Sequence, residues 1–220
     1  MALILGIHVD SNGCAVALSD GDAIVASESA SSQRGANEKL IPMIDAVLAG
    51  SKKILGDIDW IAANVGPGSF TGIRVCLSAA HGLAIGSGKP IFGVPHLSAL
   101  AAALSADAMK GKGIFIAELS GKGDFHVAAY DDDLKPILPP TRAGDFFTYM
   151  PPQDRPWILI GNAAADAKQA LGFGEVLSSD KMNLAEAVCR FAAQNLDHAK
   201  QYPANPLYFR DADVTLRAPD

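Results

Sequence analysis

The stretch Asn64 to Ala84, NVGPGSFTGIRVCLSAAHGLA, gathers residue types that can hold an anion. A glycine loop that leaves a strand and opens a helix presents unpaired backbone N–H groups at the positive end of the helix dipole. Glycines also let an anion approach that backbone closely. Here Gly66, Gly68 and Gly72 supply the loop, Ser69 a natural N-cap and Thr71 a second hydroxyl. Arg74, one turn into the helix, has the planar fork that grips a phosphate or carboxylate. The spacing fits neither standard phosphate loop. A Walker loop needs lysine followed by Ser or Thr after its second glycine, whereas Gly72 is followed by Ile73 and Arg74. The dinucleotide fingerprint needs glycine where Thr71 stands. On their own, the residues suit a capped structural loop and an anion site equally well.

Other reactive side chains do not add up to a reaction centre. His8, His81, His96, His126 and His198 are scattered, with no two at i,i+3 or i,i+4, and there is no H-E-x-x-H or Cys-x-x-Cys to hold a metal. Ser69 lacks the closing glycine of a G-x-S-x-G nucleophile elbow. The acidic run at 131–133 sits at the end of an apolar run and reads as a solvated turn. Cys14, Cys76 and Cys189 stand apart in apolar surroundings, as expected of free buried thiols in a reducing cytoplasm. No catalytic residue, metal ligand or intrinsic cofactor is therefore expected.

The elements that must position these groups are legible in the periodicity. With 220 residues, 49% hydrophobic and 19% charged, the chain has the make-up of a globular protein with a sizeable core. A net charge of −6 gives no electrostatic footprint for nucleic acid, so any RNA would be met through a partner. No run of eighteen apolar residues suggests a membrane span, and the opening MALILGIHVD lacks the basic start of a signal peptide. Runs 2–9, 14–19 and 22–28 read as three antiparallel strands joined by turn residues. Residues 37–49 read as a helix whose apolar positions Leu40, Ile41, Met43, Ile44, Val47 and Leu48 span roughly 160° of its circumference. So broad a stripe suggests two buried surfaces. A strand at 57–65 enters the glycine loop, and a helix follows, ending at Gly86 or Gly88. A strand at 89–94 and a helix at 95–104 complete a first lobe, 1–104. The second lobe, 105–220, reads as a hairpin (114–119 and 125–131), proline-rich loops at 135–140 and 150–156, a strand at 157–162, a helix at 163–171, a short strand and an amphipathic helix at 183–200. The tail, rich in proline and aromatics, is expected to pack back on the body.

The segments ILGIHVDSNGCAVAL, NEKLIPMIDAVL, GPGSFTGIRVCLSAAHGLA and PLYFRDADV resemble, in order and spacing, the bacterial TsaB (YeaZ) family. The resemblance implies an α/β fold of the actin/Hsp70-like (ASKHA) kind, two lobes with mixed central sheets and flanking helices. It implies a non-catalytic scaffold in the formation of threonylcarbamoyladenosine beside the tRNA anticodon. Such a protein binds and activates the catalytic subunit TsaD, works with the ATPase TsaE, pairs with itself when alone and meets tRNA only through the complex. It implies too that ATP or ADP, if held at all, is held in the assembled complex. The region matching the metal-binding histidines of TsaD, RGANEKLIPMID, contains no histidine. In the family the first two helices build a shared bundle, which would make Leu40, Met43, Ile44, Val47, Leu48, Val75, Ser78 and Ala79 the partner interface. One departure stands out: His8 occupies the place of the acid in the family's usual I-D-T-S start, with Asp10 two residues on. An imidazole cannot organise a metal-bound water as a carboxylate does. The competing reading is an enzyme in its own right, either a nucleotide hydrolase using the glycine loop or a metallopeptidase; a plain nucleotide-binding module is a third.

Overall fold

In the computed structural model of the chain, residues 1–11, 13–31, 37–120, 123–179 and 182–209 are described. Five strands, β1 (Leu3–Val9), β2 (Gly13–Asp20), β3 (Ala23–Ser31), β4 (Trp60–Gly66) and β5 (Ile91–Pro95), form a first sheet in the order β3-β2-β1-β4-β5. Strands β1 to β3 are antiparallel neighbours, while β4 and β5 run parallel to β1. A second sheet repeats this plan with β6 (Gly113–Leu119), β7 (Phe125–Tyr130), β8 (Pro136–Ala143), β9 (Trp157–Ile160) and β10 (Glu175–Leu177), in the order β8-β7-β6-β9-β10. Again the first three are antiparallel and the last two parallel. The helices are α1 (Leu40–Gly50), α2 (Phe70–Ser87), α3 (His96–Ala102), α4 (Ala106–Met109), α5 (Ala164–Leu171) and α6 (Leu184–Asn195).

Strand β1 is buried along its whole length, as expected of a strand covered on both faces. Leu3, Leu5, Ile7 and Val9 join one core with α1 and α2. Ile4 faces the other way, into a core shared with α3 and α6. All seven residues of α3 are buried because it lies between the lobes. Ala99 and Ala102 pack with the first sheet, and Leu97, Leu100 and Ala101 pack with Ile114, Ile116 and Ala128 of the second.

Three outcomes differ from the sequence reading. The proline-rich segment expected as a loop is largely strand β8, which holds Pro136, Pro139 and Pro140 at the sheet edge. An edge strand tolerates residues without an N–H, and the register shifts there. The helix 184–195, counted with the second lobe, packs on β1, β2 and α3 of the first. Finally, most of the broad stripe of α1, expected at a partner surface, is spent on the chain's own core: Leu40, Met43, Ile44, Val47 and Leu48 are 1–7% exposed, set against β2 and β3, and Ile41 at the edge of the arc is left 50% exposed.

The seating of α6 on β1 requires Gly6. A Cβ there would lie 2.5 Å from Cys189 Sγ and 2.6 Å from the Ala185 carbonyl oxygen. Backbone of a packed helix cannot give way cheaply, so Gly6→Ala should destabilise the fold by roughly 3 kcal/mol, read as a lowered urea midpoint with unchanged slope.

Candidate functional site

The glycine loop connects β4 to α2 and is held against the end of β1. Ser69 caps α2: its Oγ accepts the Gly72 N–H at 3.3 Å, and its carbonyl accepts the Ile73 N–H at 2.9 Å. Buried Asn64, which sequence reasoning did not single out, anchors the loop by accepting the Gly66 N–H at 3.0 Å through Oδ1. A Cβ on Gly72 would stand 3.2 Å from the Val9 carbonyl oxygen, so glycine here allows the first turn of α2 to lie on β1. Gly66 has a φ of +97°, a region left to glycine. Gly68 faces open space. Thr71 and Arg74 are exposed on the outer side of α2, with the Arg74 guanidinium 3.8 Å above the Phe70 ring.

The tail closes over the loop. The Leu207 N–H donates to the Val65 carbonyl at 2.7 Å, and the Gly93 N–H donates to the Tyr202 carbonyl at 2.9 Å. Tyr202 stacks on Phe92 at 4.9 Å, and Tyr208 lies 5.0 Å from Phe70. Residues 210–220, including the end of PLYFRDADV, lie outside the described residues. Gly93→Ala should loosen this strap, because its Cβ would fall 2.3 Å from the Pro203 carbonyl oxygen. The expected outcome is faster proteolysis after Tyr202, with a thermal midpoint lowered by several degrees.

The cleft between the lobes is a separate place. It has a volume of about 550 Å³, and its lining includes His8, Asp10, His96, Glu118, Asn162 and Asn183. Among the described residues, none of Gly66, Gly68, Ser69, Thr71, Gly72 or Arg74 lines it. The structure thus keeps the sequence-predicted loop together but sets it apart from the cleft. Asp10 belongs to the β1–β2 turn, where its Oδ1 accepts the Gly13 N–H at 3.0 Å. His8 Nε2 and His96 Nδ1 are 3.2 Å apart and buried, and His96 Nε2 faces Glu118 Oε2 at 3.9 Å. Burial, with His96 alongside, holds the His8 pKa well below the ordinary histidine value. Glu118 was missed in the sequence. Its signal is the repeat, since it is the sixth residue of seven-residue β6, just as His8 is the sixth of seven-residue β1.

The remaining reactive groups are quiet. The three cysteines are buried thiols outside any disulfide among the described residues, and burial pushes the Cys76 and Cys189 thiols up to about 12. The acidic run is a turn in which Asp131 Oδ1 accepts the Asp133 and Lys135 N–H groups. Among the described residues no three side chains of metal-ligating type converge, and no helix is long and apolar enough to cross a membrane. In the loop, Ser69 engages the Gly72 and Ile73 amides, and the Arg74 guanidinium is stacked on Phe70 of its own helix.

Two sheets of one topology, with a buried helix between them and a cleft at the ends of their central strands, define a two-lobed protein of the actin/Hsp70-like kind. A solved Pseudomonas aeruginosa structure, described as an uncharacterized protein with similarity to peptidase YEAZ, has this fold. It superposes with a TM-score of 0.81 over 96% of this chain and 100% of that chain, at 20% identity. The family model described as TsaD, tRNA N6-adenosine threonylcarbamoyltransferase, matches residues 24–137. The tRNA threonylcarbamoyladenosine biosynthesis protein TsaB of Escherichia coli K12 is 27% identical over 94% of each chain. Its Haemophilus influenzae counterpart is 39% identical over 101 residues, 46% of this chain and 42% of that protein. The chain belongs to this family and, within it, to the TsaB (YeaZ) group.

Proposed function

We propose that the chain serves tRNA threonylcarbamoyladenosine formation as an accessory subunit, binding the catalytic TsaD and performing no reaction of its own. The observation that carries this reading is a contrast between two surfaces. In the glycine loop the Ser69 cap is turned to the Gly72 and Ile73 amides and Arg74 is stacked on Phe70, whereas the outer faces of α1 and α2 are open, with Ile41 50% and Ile85 85% exposed. Small residues are exposed on the same helices, Ala46 on α1 and Ser78 and Gly82 on α2. Small side chains let a partner's helix approach closely, and flanking apolar residues reward that approach.

The buried residues Leu40, Met43, Ile44, Val47 and Leu48 shape this face from beneath. Val75, Ser78 and Ala79, half-buried or exposed, contribute to it directly. The same face pairs two copies of the chain when TsaD is absent. TsaE, and any ATP or ADP, join in the assembled complex, and tRNA is reached there, since a net charge of −6 repels it. The setting is cytoplasmic, where free thiols persist.

The test is reconstitution of tRNA modification from purified TsaD and TsaE with and without this chain. Modification is expected to depend on it. The isolated chain is expected to show no ATP turnover, and Arg74→Ala to leave that baseline unchanged. Full modification without the chain, or ATP turnover that disappears in Arg74→Ala, would overturn the reading.

A further inference from the structure

The proposed function leaves unused a line of three titratable side chains that joins the lobes. His8 comes from β1 of the first sheet, His96 begins α3, and Glu118 comes from β6 of the second sheet. The His8–His96 contact, at 3.2 Å, is a hydrogen bond in which one ring carries the proton. The His96–Glu118 separation of 3.9 Å exceeds the roughly 2.7–2.9 Å of a charge-assisted hydrogen bond. A gap of about an ångström therefore remains to be closed.

Both ends of that gap are mechanically connected. Glu118 Oε1 accepts the Asn162 N–H at 2.8 Å, and Asn162 Oδ1 accepts the Leu119 N–H at 2.6 Å. Glu118 thus carries with it the turn that follows β9. On the other side, His96 sits on a helix buried between the two sheets. The carboxylate and ring side chains are 17% and 10% exposed, so a charge pair formed here would be only weakly screened by solvent.

The surroundings direct an added proton to one place. Burial disfavours a charge on His8, and His96 is the ring that lies beside the carboxylate. Asp10 and Cys14 line the same cleft from the β1–β2 side, and Asn162 and Asn183 face it from β9 and α6 without charge. From β7, the Tyr130 hydroxyl hydrogen-bonds Ser98 two residues along α3. Two imidazole nitrogens are too few to hold a metal ion tightly, and among the described residues no three metal-ligating side chains converge.

We propose that His8, His96 and Glu118 form a proton-operated clamp between the lobes. Uptake of one proton by the histidine pair closes the His96–Glu118 contact and draws residues 118–119 and 161–162 of the second lobe toward α3. The cleft is then narrower in mildly acidic than in neutral solution. This reading concerns the chain alone and does not depend on its partner.

Hydrogen exchange of the full chain at pH 7.5 and pH 5.8, corrected for intrinsic rates, tests it. Peptides covering 118–119 and 161–163 are expected to exchange at least fivefold more slowly at the lower pH. Glu118→Gln retains the acceptor for the Asn162 N–H and removes only the charge, so its corrected exchange should not slow on acidification. Absence of slowing in the unaltered chain, or equal slowing in Glu118→Gln, overturns the clamp. A second readout needs no variant: ¹⁵N imidazole shifts at pH 5.8 should show His96 cationic and His8 neutral. Two cationic rings, or two neutral ones, would equally overturn it.

Discussion

Replacing Ser78 with arginine is expected to weaken binding to TsaD by more than a hundredfold and to reduce tRNA modification in proportion. Ser78 is exposed in the middle of α2, one turn before exposed Gly82. A guanidinium placed where a partner's helix must lie close forces either a wider separation or burial of an unpaired charge. Either costs roughly 3 kcal/mol or more, corresponding to two or more decades of affinity. Thermal stability should stay within about 0.5 kcal/mol of the unaltered chain, as for other exposed helix positions. The same substitution should turn any homodimer into monomer by analytical ultracentrifugation. Unchanged TsaD affinity with Ser78→Arg would remove α2 from the interface and with it the central element of the proposed function.

A second large effect is expected on acidification. His8 is 3% exposed, and burial, then the neighbouring His96, lowers its pKa well below the ordinary histidine value. The unfolded chain therefore binds a proton that the folded chain refuses. Stability present above pH 6.5 is lost as pH falls below it, by about 1.4 kcal/mol per pH unit until the lowered folded pKa is reached. Urea unfolding at pH 7.5 and 5.5 should show this loss, and His8→Gln, which cannot titrate, should abolish most of it. An equal loss in His8→Gln would mean that the acid sensitivity lies elsewhere.

Much of the architecture was legible because period and punctuation coincide. Turn residues separate the runs that become β1 to β3, and Ser69 and Gly88 mark both ends of α2. The motifs that carried the family resemblance lie mainly in this first half, where local pattern and final structure agree. Strand β8 was illegible because proline argues against a strand until an edge position is known, and edges are a property of the assembled sheet. The breadth of the α1 stripe was visible, but not its destination. Whether Leu40 and Val47 meet a partner or the chain's own β2 and β3 depends on how the sheet curls beneath them. Glu118 gave no local signal at all, being an ordinary polar residue at the end of an apolar strand until duplication of the fold sets it opposite His8.

The sequence by itself determined most of the element order, the capped glycine loop and the family, because each rests on residues close together in the chain. Only the tertiary structure decided that the tail bonds to Val65 and Gly93 beside the loop, that α6 returns to the first lobe across Gly6, and that His8 meets His96. Those outcomes join residues 88 to 185 positions apart, and contacts at that separation are fixed by which surfaces pack rather than by any local preference.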